Sequence, residues 1–165
     1  GFLPVGAPET LSPYVTDSSV AAIYRGDMVL LEADGALGVA TANAVNCVGS
    51  AAVYQAASIA NNLFLVYDDV LQRFMAQDDG ATGIMPATSV GANASIVTTT
   101  GSTTLLTSNQ EIDSSTAFTT STLALKIIAL HPNEAFSYAT TVAQQRKWIC
   151  SLNNHLLAPY QQLGI

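Results

Sequence analysis

Few side chains of this 165-residue chain combine a type and a spacing that could do chemistry. The two thiols, Cys47 and Cys150, each lie in a largely apolar run, Ala44-Val45-Asn46-Cys47-Val48 and Trp148-Ile149-Cys150. In such runs a free cysteine behaves as a small buried hydrophobe, so two reduced core thiols are expected. A 47–150 disulfide is allowed by parity but is not indicated by spacing. His131 and His155 have no CxxC, HxxxH or HExxH context, and a zinc site needs three or four convergent ligands. Structural roles are expected for both. The many serines include no GxSxG elbow, Cys47 has no adjacent base, and no phosphate-cradling GxGxxG or GxxxxGK loop is present. No catalytic, cofactor or metal site is expected.

The carboxylates invite a second question. Asp68-Asp69 and Asp78-Asp79 would gather four acidic groups if their turns lay at the same end of a sheet, and oxygen-rich clusters bind calcium. EF-hand spacing is absent, so solvated turn carboxylates are the expectation. Arg25-Gly26-Asp27 spells the integrin tripeptide, but a Gly-Asp turn between two strands accounts for it. Asn93-Ala94-Ser95 fits the glycosylation pattern. It reads as accidental, because Gly1-Phe2-Leu3-Pro4 has neither the basic nor the apolar region of a secretory leader.

Composition narrows the function classes. Hydrophobic residues make up 49% of the chain, charged residues 10%, and the mean hydropathy is +0.33. Ordinary domains carry roughly 25% charged residues, so disorder, whose signature is the reverse, is excluded for the chain as a whole. No window approaches the ~18 consecutive apolar residues of a membrane-spanning helix. With a net charge of −7 and one adjacent basic pair, Arg146-Lys147, the chain lacks the patch that would neutralise phosphates, so nucleic-acid binding is not expected. A surface so poor in charge points instead to contact with protein.

The elements that must position these residues read as strands. Residues 1–16 hold three of the six prolines and no periodicity, which predicts an extended N-terminal arm. Runs 20–24 and 28–32, split by Arg25-Gly26-Asp27, have the grammar of a hairpin. The Ala-rich stretch 36–60 is ambiguous: strand is favoured over 36–48, whereas 51–60 is compatible with a short helix. Residues 63–67 and 72–77 are strands, the second stopped by Asp78-Asp79-Gly80. From Ser95 to Thr122, sixteen of twenty-eight residues are Ser or Thr, which favours extended structure. Its expected anchors are Ile96, Val97, Leu105, Leu106, Ile112 and Phe118. Residues 123–130 and 147–153 complete the set, with Trp148, Cys150 and Leu152 on one face and Ile149 the exception. The expected fold is all-β, a small barrel or jelly-roll-like sandwich over 17–155, with extended arms at 1–16 and 156–165.

Four segments in order carry a family resemblance. Ala22-Ile23-Tyr24-Arg25-Gly26-Asp27-Met28-Val29 is similar to an IYxGDPV pattern. Leu65-Val66-Tyr67-Asp68-Asp69, with Phe74 and Gln77, is similar to VVDDPxxxFEVQ. The Thr-rich run ending Leu123-Ala124-Leu125-Lys126-Ile127-Ile128-Ala129-Leu130 resembles TTNxLxLRVxGL, and Asn153-Asn154-His155 matches a closing NNH. Together they resemble the head decoration, or capsid cement, proteins of tailed bacteriophages. Met28, Val70 and Met75-Ala76 depart from the patterns. The resemblance implies a non-catalytic virion protein on the outer capsid surface, made in the host bacterial cytoplasm. Its implied partners are the major capsid protein and further copies of itself, as a dimer or trimer, with neither nucleic acid nor membrane. A fibre or receptor-binding module of a virion would suit the same composition; the absence of a visible repeat favours cement.

Overall fold

The computed structural model describes residues 1–6, 10–81, 85–117, 120–134 and 145–158. One five-stranded antiparallel sheet runs in the order β1 (Leu3–Val5), β7 (Arg73–Gln77), β12 (Lys147–Leu152), β11 (Leu125–Leu130), β8 (Asn93–Ala94). The other runs β2 (Leu11–Thr16), β6 (Asn62–Tyr67), β5 (Cys47–Ala51), β3 (Met28–Leu31), β4 (Leu37–Val39). A two-stranded ribbon pairs β9 (Ile96–Val97) with β10 (Glu111–Ile112). The fold is therefore an all-β sandwich, and neither sheet closes into a barrel.

The main core lies between the sheets. From the first sheet come Phe74, Ala76, Leu125, Ile127, Trp148, Cys150 and Leu152; from the second come Met28 and Cys47, with Phe2, Ile96 and Ile112 filling in. Period-two alternation explains why Trp148, Cys150 and Leu152 share a face. Ile149, the exception in the pattern, points to the opposite face, where it pairs with Met75 across β7. Such interiors pack at crystal-like density, so a methyl group added or removed is felt.

The second sheet also has a core of its own. It curls until its edge strands β2 and β4 approach each other. The concave face holds Val29, Leu37, Val48, Phe64 and Val66, and the segment 17–24 covers it with Val20 and Ile23. That crossing segment is not the strand the sequence predicts over 20–24. Only Ile23 bridges, exchanging backbone hydrogen bonds of 2.8–2.9 Å with Gln55. The hairpin partner of β3 is β4, joined through the turn 32–36, where Glu32 and Ala36 bond. Nor do residues 52–60 form a helix; Ser58 and Asn61 take positive φ there and turn the chain back into β6. Gly49 is required on steric grounds: a Cβ at this position would run into the Tyr67 carbonyl of the neighbouring strand.

Residues 1–6 and 10–16 are extended, as the prolines predict, but they are paired within the domain rather than standing free. β1 lies against β7 and β2 against β6, one strand for each sheet. Phe2 is fully buried, its N–H donates to Gly26 O at 2.8 Å, and Ser50 Oγ donates to its carbonyl at 2.7 Å. Sequence pattern sets an extended conformation locally, whereas the partner strands lie tens of residues away. At the other end, Leu156 N–H donates to Cys47 O at 2.7 Å. The remainder of the expected C-terminal arm, 159–165, lies outside the described residues, as does Phe118.

Candidate functional site

The side chains with chemical potential are turned inward and used as clamps. Asp27 ends a turn formed by Gly26 at φ 90°, and its Oδ2 accepts the Tyr24 N–H at 2.8 Å. With Asp27 almost fully buried, the Arg25-Gly26-Asp27 carboxylate is not presented to a receptor. Burial pushes its pKa above the usual carboxylate range, partly offset by bonds from Ser108 and Tyr24. Asp78 is fully buried at the end of β7. It accepts the Trp148 indole N–H at 2.9 Å and the Arg146 N–H at 3.1 Å, and burial again raises its pKa. Its neighbour Asp79 is different. Partial burial opposes ionisation, but Ser114 donates through both Oγ and N–H, at 2.6 and 3.0 Å, and the net shift is downward.

Asp68 accepts the Tyr14 hydroxyl at 2.8 Å, and its other oxygen, buried, has no partner among the described residues. The resulting phenol is pushed up to about 12, by burial first and then by the Asp68 bond. Asp69 caps the turn by accepting the Leu71 N–H at 2.8 Å. The two acidic pairs therefore sit at opposite ends of β7 rather than in one cluster. Among the described residues no group of three His, Cys, Asp or Glu side chains is placed to hold a metal ion.

His155 is buried and neutral. Its Nδ1 accepts the Leu157 N–H at 3.1 Å, which leaves Nε2–H to donate to Asp68 O at 3.1 Å. Burial lowers its pKa from the ordinary 6.5. Asn153 Nδ2 donates to Ser121 O and Leu123 O, and Asn154 Nδ2 to Thr122 O, so the Asn153-Asn154-His155 run staples the end of the Thr-rich segment to the Asp68 turn. His131 lies at the end of β11, where its Nδ1 accepts the Asn133 N–H at 3.3 Å. Cys47 and Cys150 are free and buried, as expected, and burial pushes both thiols up to about 12, far from a reactive thiolate. Asn93 is fully buried, which removes it as a glycan acceptor, and Arg146 is buried beside an exposed Lys147, so the basic pair makes no patch.

The described residues also line concavities. One, of about 250 Å³, is lined by Tyr24, Asp27, Thr99, Gly101 and Gln110 among others. It is smaller than the ~300–1,000 Å³ of typical ligand sites. A cleft of about 390 Å³ has Gln77, Ser108, Asn109 and Glu111 on its walls. There Gln77 donates to Gln145 at 2.6 Å and Gln145 to Glu111 at 3.3 Å, so these polar groups bond one another. Burial raises the Glu111 pKa.

What the surface does offer is apolar. On β2 and β6 the register pairs Pro13 with Leu65 and Val15 with Leu63, and Leu11 continues the row. All five side chains are exposed, Leu63 by 66%. Neither strand carries a charged residue. A second apolar projection is the loop 102–107, closed by Ser102 N–H to Thr107 O at 2.8 Å and Leu106 N–H to Ser102 O at 2.8 Å. It raises Leu105, 73% exposed, and Leu106, held at φ 55°. The sequence reading takes both leucines as anchors of the Thr-rich segment. Ile96 and Ile112 do anchor the Thr-rich segment in the core; Leu105 and Leu106 do not, because the tight turn faces them outward. Comparison with protein-family models, with curated proteins and with solved structures finds no match to this chain.

Proposed function

We propose that the chain is a non-catalytic structural protein of a bacteriophage virion that binds the outer surface of the assembled capsid and stabilises contacts between capsomers. The observation that carries this reading is exposed apolar surface in two places, the 102–107 loop, available to the shell, and the face of β2 and β6, available to a further copy, in a chain with 10% charged residues. Large apolar exposure on a folded domain marks a surface meant for protein. The order of the four family-like segments supports the same reading. Among their polar members, Asp27, Asn153, Asn154 and His155 bond backbone groups from buried positions and Asp68 accepts the Tyr14 hydroxyl, the role expected of residues that maintain a fold rather than a reaction.

The physical means is mass action. A protein that binds only the assembled shell stabilises that shell by an amount that grows with its affinity and concentration. Many copies, each with a modest interface, share the load that genome pressure places on the capsomers. Because β1 and β2 are committed to the domain's own sheets, contact with the shell falls to the exposed faces and loops. Further copies of the chain are the second partner. The test is co-sedimentation of the purified chain with expanded and unexpanded empty heads of the phage that encodes it. Binding to expanded heads is expected; sedimentation with neither form overturns the reading, and binding to host cells instead would favour a receptor-binding module.

A further inference from the structure

We infer that the apolar stripe of β2 and β6, together with the turn 68–72, is the contact between two copies of this chain, packed face to face about a two-fold axis. The stripe comprises Leu11, Pro13, Val15, Leu63 and Leu65, and it belongs to the convex side of the curled sheet. Farther along that sheet, Met28 and Cys47 are covered by the first sheet; at β2 and β6 the covering layer stops. Leu11 pairs with Tyr67, which leads directly into the turn, and Asp68 N–H donates to Thr10 O at 3.3 Å. At the turn stands Leu71, 83% exposed, more than any other large apolar side chain described.

Two features select a second copy, docked by its face, as the occupant. The first is the edge. The Asp68–Thr10 bond fixes the alternation of the β2–β6 ladder, so residues 10, 12, 14 and 16 bond β6 while 11, 13 and 15 turn their backbone groups outward. Pro13 has no N–H to offer there. A proline at an outward position guards an edge against strand addition, which leaves the side-chain face as the docking surface.

The second is charge. Leu71 is flanked two residues away on either side by Asp69 and Arg73, of opposite sign, and neither makes an ion pair among the described residues. A two-fold contact is self-complementary by construction, with each patch meeting its own copy. An axis near Leu71 sets Asp69 of each copy against Arg73 of the other. Unpaired Arg beside apolar anchors is also the composition of interface centres. Specific interfaces bury about 800 Å² per partner, and the stripe with Leu71 supplies the apolar centre of such an area.

The inference deepens the self-association in the proposed function and is independent of the capsid. The test is sedimentation equilibrium of the full chain across a concentration series, with circular dichroism melts to show that each variant folds. Wild type is expected to dimerise. Leu71→Asp, Arg73→Glu and Asp69→Lys are each expected to weaken the dimer by about tenfold or more, and the double variant R73E/D69K to recover to within about threefold of wild type. A monomer at every concentration overturns the inference, as does a dimer indifferent to these changes or a double variant that stays weak. Protection of the stripe only on phage heads, with a monomer in solution, also overturns it and assigns the stripe to the shell. Failure to bind heads overturns the proposed function and leaves the dimer standing.

Discussion

Strands β2 and β6 carry two faces that differ in position far more than in composition. On the concave face, Tyr14, Phe64 and Val66 close over the second core; on the convex face, Leu11, Val15, Leu63 and Leu65 stand in solvent. Both rows are apolar, so hydropathy alone would assign both to an interior. The difference is one of cover. The concave row faces the curled sheet's own strands and the crossing segment 17–24, whereas the convex row extends past the reach of the opposite sheet. An apolar row without cover keeps its transfer free energy available for a partner, at ~25 cal/mol per Å² of surface removed from water.

Phe64 and Leu63 are adjacent in sequence but belong to opposite rows, so substitutions at the two positions separate the faces. Phe64→Ala, on the buried row, is expected to destabilise the isolated domain by about 3–5 kcal/mol through lost transfer energy and a residual cavity. Urea unfolding measures it directly. An effect under about 1 kcal/mol would mean the second core is loosely packed. Next in size is Gly49→Ala. Its new methyl group meets the Tyr67 carbonyl on β6, and overpacking of this kind costs about 1–3 kcal/mol, read by the same titration.

Acid provides a third, smaller perturbation. Because burial lowers the folded pKa of His155 below 6.5, the unfolded chain takes up the proton first as pH falls. The stability that the neutral ring contributes is therefore complete above about pH 6.5 and is lost on acidification below it. Asp27 and Asp78 act in the opposite sense. Their raised folded pKa values mean that the fold binds protons first, so stability is regained as pH falls through those values towards 3.8. Thermal melts across this range should show the loss limb at mildly acidic pH. An NMR titration of His155 that gave a pKa above 6.5 would contradict the buried, accepting Nδ1. The smallest effect belongs to the exposed row: Leu63→Ser should change the stability of the monomer by no more than about 0.5 kcal/mol. The same substitution should weaken self-association, read by sedimentation equilibrium. A large loss of monomer stability would show that the row is already covered.

Much of the fold is legible in local pattern. The runs at 63–67, 72–77, 123–130 and 147–153 correspond closely to β6, β7, β11 and β12, and the shared face of Trp148, Cys150 and Leu152 follows from alternation alone. The inertness of Cys47 and Cys150 was equally visible in their apolar neighbours. Residues 20–24 have strand composition yet cross over a sheet, because the β3 edge they were expected to pair with is taken by β4 and β5. Leu105 and Leu106 have the composition of anchors, but a six-residue turn closed on Ser102 and Thr107 cannot reach the core with both.

The all-β class is already dictated by local pattern. Short β-prone runs divided by turns require a layered all-β fold, and nucleophiles and metal ligands at functional spacing are scarce along the chain. Which apolar residues are covered depends instead on how distant strands pack. That Phe2 is core, that Asp27 and Asp78 are buried clamps, and that Leu63 faces water while Phe64 does not are outcomes of pairing between segments tens of residues apart. Local pattern fixes which side chains share a face; only the closing of distant strands fixes whether that face meets another layer.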